Sequence, residues 1–132
     1  MVEQQLSDLP EDIHLRPICE QDNGFLYRLY ASTRADEMAL LDWSDEQKSE
    51  FLAMQFNAQH SFYTQQFKQA SFDVIEQQGD AIGRLYIDRR PDEIRIIDIA
   101  LMPAYRGKGI GGGIMQALID EAAEENKSVT IH

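Results

Sequence analysis

The sequence predicts an α/β chain of the α+β type: a mixed, mostly antiparallel central sheet with flanking helices, in the order β-α-α-β-β-β-α-β. Three observations carry that expectation. In the first half, apolar residues recur at helical spacing, at Phe25, Leu26, Leu29 and Tyr30 and again at Leu52, Phe56, Tyr63 and Phe67. From Ser71 the period changes to two, in three consecutive runs separated by the turn segments QGD and RPDE. The last stretch returns to a helical stripe, Ile110, Ile114, Leu118 and Ile119, followed by the strand-like SVTIH. With 132 residues and 43% hydrophobic positions the chain suits a single domain, 1–132, and is too short for two independent cores.

Each element follows in order. IHLRPIC, residues 13 to 19, sets Ile13 and Leu15 against His14 and Arg16 and reads as a short strand closed by Pro17. A first helix is expected over Asn23 to Ser32, with Asp22 or Asn23 as its N-cap, and TRADEMALLDW follows as a connector. Ser44 with Gln47 three residues later makes a capping box that opens a longer helix over 45 to 69, whose many glutamines form its solvated face. SFDVIEQ, AIGRLYIDR and IRIIDIALM then form an antiparallel meander. In the third of these strands Ile94 and Ile96 keep one phase, whereas Ile97, Ile99 and Leu101 keep the opposite one. A one-residue β-bulge produces such a slip, and so does burial on both sheet faces. The closing strand, helix and strand predict a right-handed parallel crossover.

Charge and composition exclude several classes. A formal net charge of -11 argues against a general nucleic-acid surface. No apolar run approaches the about 20 residues needed to span a bilayer, and the acidic start MVEQQLSDLPEDIHLR is unlike a cleavable signal, so a soluble, cytoplasmic protein without membrane contact is expected. Cys19 is the only cysteine, and His14, His60 and His132 lack ligand-like spacing, so neither a disulfide framework nor a metal site is expected. Cys19 itself reads as a buried structural thiol, and His14 and His60 as surface groups.

Against that acidic background, YRGKGIGGG, residues 105 to 113, concentrates glycine and positive charge, and between Ile99 and Ile119 the only charged residues are Arg106 and Lys108. The segment lies where a strand gives way to a helix, so unpaired N–H groups and the positive end of the helix dipole meet there. Glycines let such groups converge on a phosphate. A P-loop would need Ser or Thr after Lys108, where Gly109 stands. Gly107, Gly109 and Gly112 satisfy a dinucleotide-type GxGxxG, but no acid follows about 20 residues later and the upstream strands are antiparallel. A nucleotide-binding protein ranks third on these grounds.

PAYRGKGIG resembles the R/Q-x-x-G-x-G/A signature of the GNAT superfamily of N-acetyltransferases, with Arg106, Gly109 and Gly111 at the signature positions and IDIALMP looking like that family's fourth strand. The order of elements resembles it along nearly the whole chain. The resemblance implies acetyl-CoA as cosubstrate. Its pyrophosphate would be held by the backbone of Arg106, Gly107, Lys108, Gly109, Ile110, Gly111 and Gly112, and its pantetheine arm by the main chains of Ile99 and Leu101. A neutral primary amine would attack the thioester directly, expelling the CoA thiolate. Asp98, or Glu93 at the start of the same strand, would accept the amine's proton, the alternative being that both are solvent-facing acids. Trp43, with Glu37 and Asp42, lies where the family forms its acceptor pocket, although core packing explains Trp43 equally well.

The resemblance also carries a departure. The family commonly uses a tyrosine on a helix after the fifth strand, and His132 comes before any such helix. Three readings stay open: a fragment of a longer product, an acceptor site completed from elsewhere, such as by a homodimer, or a CoA-binding sensor or interaction module without transferase activity.

Overall fold

The computed structural model describes residues 9–132; residues 1 to 8 of the acidic lead-in lie outside the described residues. The chain divides into two compact units, a sheet unit made of the chain up to Ile18 with Ala70–His132, and a helical unit, Cys19–Gln69.

In the sheet unit the strands β1 (Ile13–Pro17), β2 (Ser71–Gln77), β3 (Asp80–Arg89), β4 (Glu93–Leu101) and β5 (Ser128–Ile131) lie in that spatial order. The first three pairings are antiparallel and β4 with β5 is parallel, the mixed sheet expected from the alternating runs. Gln78 and Gly79, at φ 51° and 88°, make a two-residue turn between β2 and β3 in which both residues take the left-handed conformation that matches strand twist. The helix α4 (Ile110–Glu124) covers one sheet face, burying Ile110, Ile114, Ala117, Leu118 and Ala122 against Ile75, Leu85, Ile87, Ile94 and Ile96. Each isoleucine or leucine among them contributes about 1.5–3 kcal/mol by leaving water. Arg89 adds a paired contact, its Nε and Nη2 donating to the two oxygens of Glu121 at 2.8 and 3.0 Å.

The phase slip in β4 is a bulge. Tyr86 pairs with Asp98 but Ile87 with Ile96, so Ile97 is the extra residue. A second irregularity gave no sign in the sequence: Ile75 pairs with Gly83 and Glu76 with Ala81, leaving Ile82 extra in β3. Beside it, Gly83 is held against β4 so closely that a methyl group there would strike the Ala100 carbonyl oxygen and lie within van der Waals distance of Leu101. Gly83→Ala is therefore expected to lower unfolding free energy by about 1–3 kcal/mol, the range for forced overpacking, in chemical denaturation.

The helical unit contains α1 (Asn23–Thr33), α2 (Ala35–Ala39) and α3 (Asp45–Gln66). The capping box forms as expected: Gln47 N–H donates to Ser44 Oγ at 3.1 Å and Ser44 N–H to Gln47 Oε1 at 2.9 Å. Two boundaries differ from expectation. The connector holds the short helix α2, and α3 ends at Gln66 because Phe67 leaves helical geometry with φ -120° and ψ 61°. Cys19 is exposed rather than buried. Pro17 has already ended β1, so Cys19 opens a turn instead, its N–H and Sγ donating to Asp22 Oδ2 at 2.8 and 3.3 Å.

Candidate functional site

The bulge decides where the main chain of β4 points. Residues in an antiparallel ladder alternately turn their polar groups towards the partner strand and away from it. Met102 N–H donates to the Ile82 carbonyl at 2.8 Å, so Ala100 and Met102 face β3, whereas Ile99 and Leu101 face away. Ahead of the bulge the sets are exchanged, since the Ile96 carbonyl accepts from His132 N–H at 2.8 Å on the β5 side. β5 pairs with Glu93 to Ile96, and past Ile97 the β4 residues whose polar groups face away from β3 are Ile99 and Leu101.

The glycine segment borders the same cavity as these two residues. After a turn at Pro103–Tyr105, Gly107 and Gly109 adopt φ 72° and 83°, a left-handed conformation costing other residues about 1–2 kcal/mol. The first bond of α4 runs from Gly113 N–H to the Gly109 carbonyl at 2.9 Å, so the N–H groups of Ile110, Gly111 and Gly112 precede it at the positive end of the helix. The Arg106 side chain folds back, its Nε donating to the outward-facing Leu101 carbonyl at 2.9 Å.

These elements enclose a cavity of about 500 Å³ bordered by Ile99, Ala100, Leu101, Arg106, Gly107, Gly109, Gly111, Gly112 and Met115. Most of the expected cradle residues thus meet at one place. Lys108 does not border it and is exposed, and the Ile110 side chain is buried in the core. Met115 was missed, though its position four residues after Gly111 places it on the same helix face. A methyl group on Gly112 would meet no protein atom within 4 Å, and one on Gly111 only Leu101 Cδ1 at 3.9 Å. The open space over the helix N-terminus is therefore room for a ligand, and convergent N–H groups with a nearby guanidinium fit a diphosphate.

Asp98 sits immediately after the bulge residue, opposite Tyr86 in register, on the sheet face opposite Ile99. It is not solvent-facing. Its carboxylate pairs with the Arg84 guanidinium, the two side chains being 20% and 5% exposed. The Arg84 guanidinium also lies 5.0 Å from the centroid of the Tyr86 ring. Sequence reasoning overlooked Arg84, although a cation within the apolar run AIGRLYI was a signal. Glu93 lies at the β5-paired end of β4, accepting from Arg90 Nη1 at 3.1 Å and Thr130 Oγ1 at 3.2 Å. Glu93, 18% exposed, belongs to an ion-pair network with Arg90 and Arg95, and Asp98 lies beside the bulge.

Within the helical unit, Trp43 and Glu37 come together on a second cavity of about 380 Å³, with Tyr30, Arg34, Phe51 and Gln55 among its walls. Asp42 does not border it. Trp43 packs edge-on against Phe51 at 5.5 Å between ring centroids, so its indole is part of the cavity wall.

Comparison with known proteins bears on the family and the fold. The family described as "Acetyltransferase (GNAT) family" matches residues 35–132. No curated protein matches the chain. Among solved structures, the PaiA N-acetyltransferase from Thermoplasma acidophilum in complex with coenzyme A is similar with a TM-score of 0.53 and 17% identity, over 85% of this chain and 70% of that one. The ribosomal L7/L12 alpha-N-protein acetyltransferase RimL in complex with coenzyme A has a TM-score of 0.58 and 22% identity, over 93% and 71%. An acetyltransferase of Trypanosoma brucei has a TM-score of 0.53 and 18% identity, over 92% and 82%. At these identities the structures attest the fold.

Proposed function

The chain belongs to the acetyltransferase (GNAT) family, and from that premise we propose that it moves an acetyl group from acetyl-CoA to a primary amine by direct attack. Acetyl-CoA fits as the cosubstrate and supplies an acyl group activated as a thioester. The observation that carries the reading is the outward-facing main chain of Ile99 and Leu101 past the bulge, bordering the same cavity as the glycine segment.

In this reading the N–H groups from Gly107 to Gly112 bind the pyrophosphate, with Arg106 adding charge. The main-chain groups of Ile99 and Leu101 bind the pantetheine arm as an added strand, which their outward orientation supports. The N–H near Ile99 stabilises negative charge growing on the acyl oxygen. Asp98 accepts the proton of the attacking amine; its place one residue past the bulge supports that role. The amine nitrogen forms its bond to the acetyl carbon as the carbon–sulfur bond breaks onto sulfur. Of the two protons the ammonium gives up, one ends on the CoA thiol and one leaves to solvent.

The test is thermal unfolding with acetyl-CoA, with NAD, and with an Arg106→Ala variant. A ligand held at about 100 times its dissociation constant adds about 2.7 kcal/mol to the native state. The expected result is a rise in melting temperature with acetyl-CoA and none with NAD, reduced in Arg106→Ala. A folded protein that ignores acetyl-CoA would remove the cradle assignment. A rise without acetyl-CoA consumption across a panel of amines would leave binding and remove transfer.

A further inference from the structure

The cavity of the helical unit has walls that select a ligand. Its about 380 Å³ falls in the range of small-molecule sites. Tyr30, Trp43 and Phe51 present aromatic surface, and Met38, Leu41 and Leu52 present aliphatic surface. Hydrogen-bonding side chains are few. Gln55 offers one amide and Trp43 an indole N–H, and the remaining polar wall is the Arg34 to Glu37 pair with the Tyr30 hydroxyl bonded to Arg34.

That pair sets the sign of the site. Arg34 is the only basic residue among the walls, and it is already engaged, its Nη1 donating to Glu37 Oε2 at 2.9 Å and its guanidinium lying 5.6 Å from the Tyr30 ring centroid. Tyr30 first and then Glu37 raise the Arg34 pKa above its ordinary value, so it stays charged and occupied. Glu37 already balances its charge, which leaves an entering carboxylate less to gain there. A cation meets the opposite situation: the Glu37 side chain is 62% exposed, and Arg34 takes only one of its oxygens. Asp36, Asp42, Asp45 and Glu46 are exposed nearby in sequence, and between Arg34 and Glu50 only Arg34 and Lys48 are basic. Aromatic faces favour a cation further when it carries an apolar body.

We propose that this cavity binds a small primary amine carried on an aryl or alkyl body, the body against Tyr30, Trp43 and Phe51 and the ammonium at Glu37. The inference rests on the transferase reading in naming that amine the acetyl acceptor. The binding chemistry stands on the cavity alone. Amino sugars and amino diols are disfavoured, because their hydroxyl groups would lose water against apolar walls without replacement partners.

Trp43 is the only tryptophan of the chain, so its fluorescence reports this cavity and nothing else. Without acetyl-CoA, the full chain is titrated with 2-phenylethylamine, with 3-phenylpropionate, which keeps the ring and reverses the charge, and with ethanolamine, which keeps the ammonium and removes the body. A saturable change is expected with phenylethylamine, and half-saturation weaker by about tenfold or more with the other two. Glu37→Gln, at an exposed position, is expected to stay folded and lose the preference for amine over carboxylate. Equal affinity for phenylpropionate, or no saturable response to the aryl amine in folded protein, would overturn the proposal. Acetyl-CoA consumption with the same compounds separates the two readings. Binding of phenylethylamine without turnover counts against transfer and leaves the cavity assignment standing. Turnover of ethanolamine with Trp43 silent to phenylethylamine supports transfer and overturns the cavity assignment.

Discussion

Gly111→Leu is expected to leave the protein folded and at least as heat-stable as the parent, while its affinity for acetyl-CoA falls by about tenfold or more. The two effects have separate causes. Gly111 lies in the first turn of α4, where replacing glycine by a good helix former stabilises by about 0.5–1 kcal/mol. The nearest protein atom to a built methyl is Leu101 Cδ1 at 3.9 Å, so no backbone has to move. A longer side chain on that bond enters the about 500 Å³ cavity between α4 and β4, and the ligand loses the space. Gly111→Ala, which the signature tolerates, is the control that retains binding. Calorimetric titration with parallel melts checks both halves, and a leucine variant that binds normally would show that the coenzyme lies elsewhere.

The other large effect is expected at Asp98. Asp98→Ala removes the charge that balances a guanidinium only 5% exposed, and breaking a buried pair from one side costs about 3–5 kcal/mol. Because Asp98 is itself a fifth exposed, the lower end is expected, a fall in melting temperature of roughly 10 °C for a domain of this size. Replacing both partners with apolar residues, Arg84→Met with Asp98→Leu, is expected to restore most of that stability, since no uncompensated charge remains. The restored variant then isolates the chemistry. If Asp98 accepts the amine's proton, kcat stays down by about 100-fold or more although acetyl-CoA still binds. Turnover at the parent rate would reduce Asp98 to a structural counter-charge.

Features written in local period were legible before any coordinates. The slip between Ile96 and Ile97 announced the bulge because adjacent apolar residues break a two-residue alternation visibly. The slip at Ile82 stayed hidden because Ala81, Ile82 and Gly83 are small or apolar together and blur the phase. The Ser44 and Gln47 cap was readable because its partners are three residues apart; the Arg84 and Asp98 pair was not, because register alone brings residues 14 apart into contact. The glycine cradle was legible for the same reason as the cap. The second cavity was recognisable only at Trp43 and Glu37, since Tyr30, Arg34 and Phe51 reach it through packing of separate helices that no spacing encodes.

The start of α4 also has a thermodynamic meaning. Gly111, Gly112 and Gly113 follow one another in the first turn of α4. Each is less inclined to helix than alanine by about 0.5–1 kcal/mol, so this turn is the part of the helix with the most freedom to lose. An anion settling on its N–H groups satisfies donors that the helix itself leaves without acceptors. In the proposed binding mode, part of the binding free energy goes into restricting that freedom.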